Sequence, residues 1–211
     1  MRKIGISLRA SNSSSYEELR DGISRDWYTL FTQLDWQHRW VLLPNLGTNT
    51  SAYAKYHGIE GIILSGGEDI GANPVRDKSE HDLIRYATQN QYPILGVCRG
   101  LQILYAQFGE PLLTTKSNEH IASRHRVNLA DDLPFCHTQG ETMQVNSYHC
   151  NLLAPPISNI QVMASDDKGF VEGVIDQSKM IAGIMWHPER EKTCSSFDRA
   201  LFNWLFKDRE I

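Results

Sequence analysis

Hydrophobic and polar positions along this chain follow two periods. In the first half, short apolar runs stand between stretches whose apolar residues recur at helical spacing. Lys3–Leu8, Trp40–Pro44, Gly61–Ser65 and Pro93–Val97 read as four strands. A polar loop is expected from Arg9 to Ser15. A helix is expected from Tyr16 to Leu34, with Leu19, Ile23, Trp27, Leu30, Phe31 and Leu34 on one stripe. Ala52–Tyr56 starts a short helix, and Glu80–Asn90 forms another that delivers the chain into the fourth strand. After Cys98, the spacing of Leu101, Leu104, Tyr105 and Phe108 predicts a helix. The order βαβαβαβα predicts a mostly parallel sheet with helices on both faces, an α/β fold.

The second half changes period. Leu112–Thr114, Gln144–Asn146, Ile160–Ala164, Phe170–Ile175 and Met180–Met185 are short strand candidates, with Asp166–Gly169 as a hairpin connection. They predict a small antiparallel ribbon plus strands returning to the same sheet. A closing helix, Ser196–Lys207, turns Phe197, Leu201, Trp204 and Leu205 toward it. No repeat or linker interrupts the pattern, so residues 1–211 read as one domain.

Composition narrows the function classes. At 211 residues the chain is ample for a large core, and its formal charge is −4 with basic residues scattered. Neither a nucleic-acid nor a membrane partner is expected. No apolar run approaches the roughly 20 residues that span a bilayer. Met1–Leu8 passes straight into a strand pattern with no signal peptide, so a cytoplasmic protein is expected. Cys98, Cys136, Cys150 and Cys194 lack the spacing of a disulfide framework. The adjacent pairs Cys136-His137 and His149-Cys150 lack zinc-ligand spacing, so no metal and no cofactor is expected.

The chemistry centres on Gly96-Val-Cys98-Arg-Gly100, between a buried strand and a helix. This is the spacing of a G-x-S-x-G nucleophile elbow with sulfur for oxygen. Small neighbours let strand and helix pass closely, and a thiol at a helix N-terminus is favoured as thiolate. A thiol nucleophile needs a base, and the base needs an orienting acceptor. Trp186-His187-Pro188-Glu189 ends an apolar strand. Pro188 biases His187 toward extended backbone, where residues i and i+2 point to one side. Glu189 can then accept one imidazole N–H and leave the other ring nitrogen for Cys98. Backbone N–H groups of Gly67, after the third strand, and of Arg99 are the candidate oxyanion donors, because loops at the C-terminal ends of parallel strands share one rim.

Gly61-Ile-Ile-Leu-Ser-Gly-Gly67, Gly96-Val-Cys-Arg-Gly-Leu-Gln102 and Trp186-His-Pro-Glu189 together resemble the class I glutamine amidotransferase-like superfamily. Within it they are most similar to the γ-glutamyl hydrolase-like branch, peptidase C26. The resemblance implies a flavodoxin-like sheet, a Cys98–His187–Glu189 triad, a γ-glutamyl thioester and water as acceptor. It implies that Gln102 holds the glutamyl part of the substrate and that Val145–His149 is a second substrate segment, giving Asn146, Ser147, Tyr148 and His149 as contacts. Arg99, where amidotransferase subunits usually carry Leu, favours hydrolysis over ammonia delivery to a synthase. The short chain and Ser15-Tyr-Glu-Glu-Leu-Arg-Asp21 resemble γ-glutamyl-CDP-amidate hydrolases of bacterial surface-polysaccharide (capsule) pathways. A γ-glutamyl-γ-aminobutyrate-type hydrolase and a glutaminase subunit are the alternatives. A nucleotide leaving group would suit Arg9, in the loop after the first strand, more than Arg20. The expected partner is a small γ-glutamyl substrate, with a homodimer as a possible assembly.

Overall fold

The computed structural model describes residues 2–13, 15–114 and 121–207. Ser14, in the expected polar loop, lies outside them. The chain opens with β1 (Lys3–Ser7), followed by a hairpin of β2 (Arg9–Asn12) and β3 (Leu19–Gly22). Next come α1 (Asp26–Gln33), β4 (Trp40–Leu43), α2 (Thr50–Tyr56), β5 (Ile59–Leu64), α3 (Pro74–Gln89), β6 (Ile94–Val97) and α4 (Arg99–Gln107). The second half supplies β7 (Leu112–Thr114), β8 (Ile121–Leu129), a hairpin of β9 (Asp132–Leu133) and β10 (Cys136–His137), β11 (Thr142–Tyr148) and β12 (Asn151–Leu153). It ends with β13 (Gln161–Asp166), β14 (Val171–Asp176), β15 (Ile181–Ile184) and α5 (Ser196–Phe206).

The main sheet runs β11-β8-β13-β14-β15-β6-β5-β1-β4. From β15 to β4 every neighbour is parallel, so the C-terminal ends of β15, β6, β5 and β1 share one edge. The α/β reading therefore holds. Both parts of the second-half expectation are present: β14 pairs antiparallel with β15 and carries the same sheet onward, while β9 and β10 form a small separate antiparallel ribbon. Asp166–Gly169 makes the expected β13–β14 connection, with the Asp166 carboxylate accepting from the N–H of Lys168 and Phe170.

Strand alternation sorts the core onto two faces. Ile63, Leu95, Val97 and Ile184 pack with α1 and α5, through Trp27, Phe31, Leu201 and Phe202. Ile62, Leu64, Ile94 and Ile181 pack with α2, α3 and α4, through Ala54, Leu83, Ile103 and Leu104. On the first face Phe31, Trp36 and Phe206 form an aromatic run, with Trp36 edge-on to Phe206 at 5.5 Å.

Two expected helices change their bounds. The helix expected from Tyr16 begins only at Asp26, because Leu19–Gly22 pairs antiparallel with Arg9–Asn12. Gly22 and Ser24 interrupt the stripe with residues that favour turns over helix interiors. Leu19 consequently stands 72 % exposed instead of joining the core. The helix expected from Glu80 begins at Pro74, capped by Asn73, whose side chain accepts from the N–H of Val75 and Arg76. Strand β8 lies outside the expected strands: its burial alternates, but Val127 and Leu129 are its only buried hydrophobics, so no run of apolar residues marks it in the sequence.

Leu19 and Leu30 separate these readings. Leu19→Ser should change unfolding free energy by less than about 0.5 kcal/mol, whereas Leu30→Ala should cost about 2–5 kcal/mol. Denaturant titration decides; comparable losses at both positions would restore the long helix.

Candidate active site

The turn from β6 into α4 is under backbone constraint. Cys98 has φ 52° and ψ −108°, a conformation that L-residues seldom adopt. It is held from both sides: its N–H donates to Ile184 O at 2.7 Å, and its C=O accepts from Gln102 N at 3.0 Å. The flanking glycines are required by contact. A methyl on Gly96 would meet the Gly100 backbone at 2.5 Å, and one on Gly100 would overlap the Leu64 carbonyl of β5. Cys98 is thereby set at the C-terminal edge of the parallel strands, buried beside their loops.

His187 reaches the same edge from β15. Trp186 fastens this segment to the start of α5 through Nε1–H to Asp198 Oδ1, at 2.9 Å. The Asp198 carboxyl is pushed up to about 6 by complete burial and by the nearby Glu191 and Glu189 charges, against hydrogen bonds from Ser195 and Trp186. His187 itself is extended, φ −114° and ψ 90°, as the following proline requires. Its Nδ1 lies 2.7 Å from Glu189 Oε1. Its Nε2 is buried and makes no hydrogen bond of normal geometry among the described residues. Gly66 borders both groups: a methyl there would stand 2.7 Å from His187 Cε1 and 3.6 Å from Cys98 Cβ. Burial alone would lower the His187 pKa, but its interactions with Cys98 and Glu189 outweigh burial and push it up to about 9. The imidazole therefore carries a proton at neutral pH, beside a buried sulfur, an arrangement suited to nucleophilic acyl transfer.

The other expected site residues fall into three groups. Asn146 spends its amide on His187: Nδ2 donates to His187 O at 2.8 Å, and Oδ1 accepts from His187 N at 2.9 Å. Tyr148 lies edge-on to the His187 ring at 5.7 Å, with the Arg190 guanidinium 4.1 Å over its own ring. Gln102 accepts from Asn151 Nδ2 at 3.1 Å, and His149 Nδ1 lies 2.9 Å from Asn151 O, so both sit against one residue of β12. Ser147 is fully buried beside them in the chain. Arg9 is exposed at the edge of the site, against Gly67, and lines a small pocket with Ser24, Gly66, His187, Glu189 and Arg190.

A buried charge network joins these loops. Arg99 does not face the pocket; its guanidinium pairs with Glu80 and Asp77 of α3. Glu80 also accepts from Arg76 Nε at 3.1 Å and from Ser7 Oγ at 2.9 Å. Arg76, fully buried, donates onward to Glu68 Oε2 at 2.7 Å, Ser65 O at 2.8 Å and Gly66 O at 3.1 Å. Burial would raise the Glu68 pKa, but Arg76 and hydrogen bonds from the backbone hold it below the usual carboxylate range. Sequence reasoning passed over Arg76 and Glu80, although Asn73-Pro74 carries an N-cap and first-turn signal that would have placed them one turn apart on a helix.

The Peptidase C26 family model matches residues 4–189. The chain belongs to the Peptidase C26 family. This C26 member is 29% identical over 197 residues to protein NtpR of Enterococcus hirae, covering 80% of this chain and 82% of that protein. It is 28% identical over 194 residues to a gamma-glutamyl-CDP-amidate hydrolase of Campylobacter jejuni, covering 89% and 90% respectively. A glutamine amidotransferase structure from Thermotoga maritima superposes with a TM-score of 0.64 at 16% identity, over 90% of this chain and 77% of that one. That likeness places the C26 member in the class I glutamine amidotransferase fold, as its motifs led one to expect.

The raised His187 pKa gives a direct test. Removing the Glu189 charge removes a stabiliser of the imidazolium, so Glu189→Gln should move the ring's NMR titration from about 9 back toward 6.5. Cys98→Ser should move it in the same direction. An unmoved midpoint in both would show that neither group acts on the imidazole.

Proposed function

We propose that the protein is a γ-glutamyl amide hydrolase that works without a synthase partner, with Cys98 as nucleophile, His187 as acid–base and Glu189 orienting the imidazole. The observation that carries this reading is the His187–Glu189 pair, whose remaining nitrogen lies beside a thiol on a constrained elbow. The Cys98 sulfur adds to the γ-carbonyl carbon, and the carbonyl electron pair moves to oxygen, where the N–H groups of Gly67 and Arg99 receive it. His187 gives its proton to the leaving nitrogen as the C–N bond breaks, leaving a thioester. Water then loses a proton to His187 and adds to the thioester carbon. Collapse breaks the C–S bond and releases glutamate. Gln102, Ser147, Tyr148 and His149 form the glutamyl side of the site in this reading, while Asn146 acts through the main chain of His187.

The leaving nitrogen must face the imidazole that protonates it. In this reading whatever that nitrogen carries lies on the side of the ring where Arg9 and Arg190 border a small pocket with His187. Two arginines at this mouth suit an anionic leaving group, since guanidinium forks match phosphate oxygens. Together with the name of the Campylobacter jejuni relative, this supports γ-glutamyl-CDP-amidate as substrate, cytidine diphosphoramidate as product and a role in bacterial surface-polysaccharide synthesis in the cytoplasm.

Glutamate release by the purified protein should be measured on γ-glutamyl-CDP-amidate, γ-glutamyl-γ-aminobutyrate and glutamine. The nucleotide conjugate should be cleaved fastest and glutamine poorly; glutaminase activity that appears only with a second subunit would favour an amidotransferase. Cys98→Ala should abolish release, while Cys136→Ala, Cys150→Ala and Cys194→Ala should retain most of it. Arg9→Ala should raise KM several-fold for the nucleotide conjugate and barely change it for an uncharged γ-glutamyl amide, the pattern of a lost remote contact. Equal losses on both substrates would remove Arg9 from leaving-group recognition.

A further inference from the structure

We propose that Arg76 is a positioning residue that locks the Gly66–Gly67 peptide with its N–H turned toward Cys98, so that the oxyanion site is formed before substrate arrives. The proposal rests on the reading of Cys98 as the nucleophile of a γ-glutamyl hydrolase, and adds how that site stays competent without a partner subunit.

The argument begins with peptide geometry. A trans peptide is planar, so its C=O and the N–H of the next residue point in opposite directions. Arg76 Nη2 donates to Gly66 O at 3.1 Å and to Ser65 O at 2.8 Å, drawing both carbonyls to the α3 side of the loop. The Gly67 N–H is thereby directed away from the guanidinium. The other flank of Gly66 is the one that borders His187 and Cys98. Among the described residues, the Gly67 N–H donates to no protein acceptor, as an oxyanion donor awaiting its ligand should.

Two consecutive glycines would not hold that orientation unaided, because glycine populates both signs of φ with little preference. Gly67 has φ 153°, and a methyl on it would collide with Arg76 Nη1. The guanidinium thus occupies the space a side chain would need. It has no freedom of its own: it is fully buried, with Nε on Glu80, Nη1 on Glu68 and Nη2 on the loop carbonyls. Glu80 also pairs with Arg99, the first residue of α4 and source of the second candidate donor. Both oxyanion N–H groups are therefore referred to one buried carboxylate.

Arg76→Lys keeps the charge and removes the planar fork. It should lower kcat on a γ-glutamyl amide by about 100- to 1000-fold, the usual loss for one oxyanion donor, with KM changed by less than about threefold. Alkylation of Cys98 by iodoacetamide should continue near the wild-type rate, because displacement at saturated carbon builds no oxyanion. A general structural role would slow alkylation or raise KM in parallel, and that result, or an unchanged kcat, would overturn the proposal. Should Arg76→Lys show no cooperative melt, a crystal structure of the unliganded wild type decides. Gly66 O on Arg76 supports the lock, and Gly66 O facing Cys98 overturns it. A wild type that cleaves no γ-glutamyl amide would overturn the hydrolase reading and this proposal together. An active wild type with an active Arg76→Lys would overturn this proposal alone.

Discussion

The close passage of α4 over β5 is the constraint from which the rest of this molecule follows. Gly100 lies so near the Leu64 carbonyl that no side chain fits between them, and Gly96 lies as near to Gly100. Only a strand that turns into a helix within one residue can use this space. That residue, Cys98, takes up the distortion as a positive φ. Strain of this kind persists only where the surroundings over-determine it. Here they do, through the ladder bond from Cys98 N to Ile184 O and the first helical bond to Cys98 O. The thiol is held above the sheet by the packing of four backbones, independent of its own chemistry.

The second feature is a set of charges buried under that elbow. Arg76, Arg99 and Glu80 are each almost wholly removed from water, and Glu68 and Asp77 are partly so. Burying such groups is unfavourable unless each finds partners, and breaking one pair typically costs about 3–5 kcal/mol. The network is therefore weak evidence of stability but strong evidence of geometry, because a fork donor with fixed acceptors tolerates little displacement. It ties α3 to the start of α4, to the serine of β1 and to the glycine loop after β5.

The antiparallel half completes the site from the other side. Along the ladder β11 is four strands from β15, some 19 Å on a flat sheet at ~4.8 Å per strand. Yet Asn146 of β11 bonds both the N–H and the C=O of His187. The sheet must curl back upon itself for this contact to exist, so the antiparallel strands clamp the imidazole's main chain while β15 delivers it. Tyr148, on the same strand, lies against the ring. Arg190 lies across Tyr148 and extends this wall to the pocket that Arg9 borders from the opposite loop.

Local rules in the chain were enough for the parallel core and the tight strand-to-helix turn at Cys98. The apolar runs ending at Val97 and Ile184, the glycines around Cys98 and the proline after His187 each act within a few residues, so their consequences are visible without a partner segment. The pairing of His187 with Glu189 is of the same kind, since two residues apart on extended backbone share one side. What tertiary structure alone decided were the contacts between segments far apart in the chain. Leu19 fits a helical stripe, but the free edge of Arg9–Asn12 claimed its backbone for a strand. Asn146 reads as a ligand contact until the curled sheet brings it to the main chain of His187. Arg76 precedes the helix expected from Glu80 and shows no local sign of burial until β1, β5 and α4 close around it with their acceptors. Periodicity records which face of an element is apolar; it does not record which buried polar group another element will satisfy, because that depends on distances that exist only after packing.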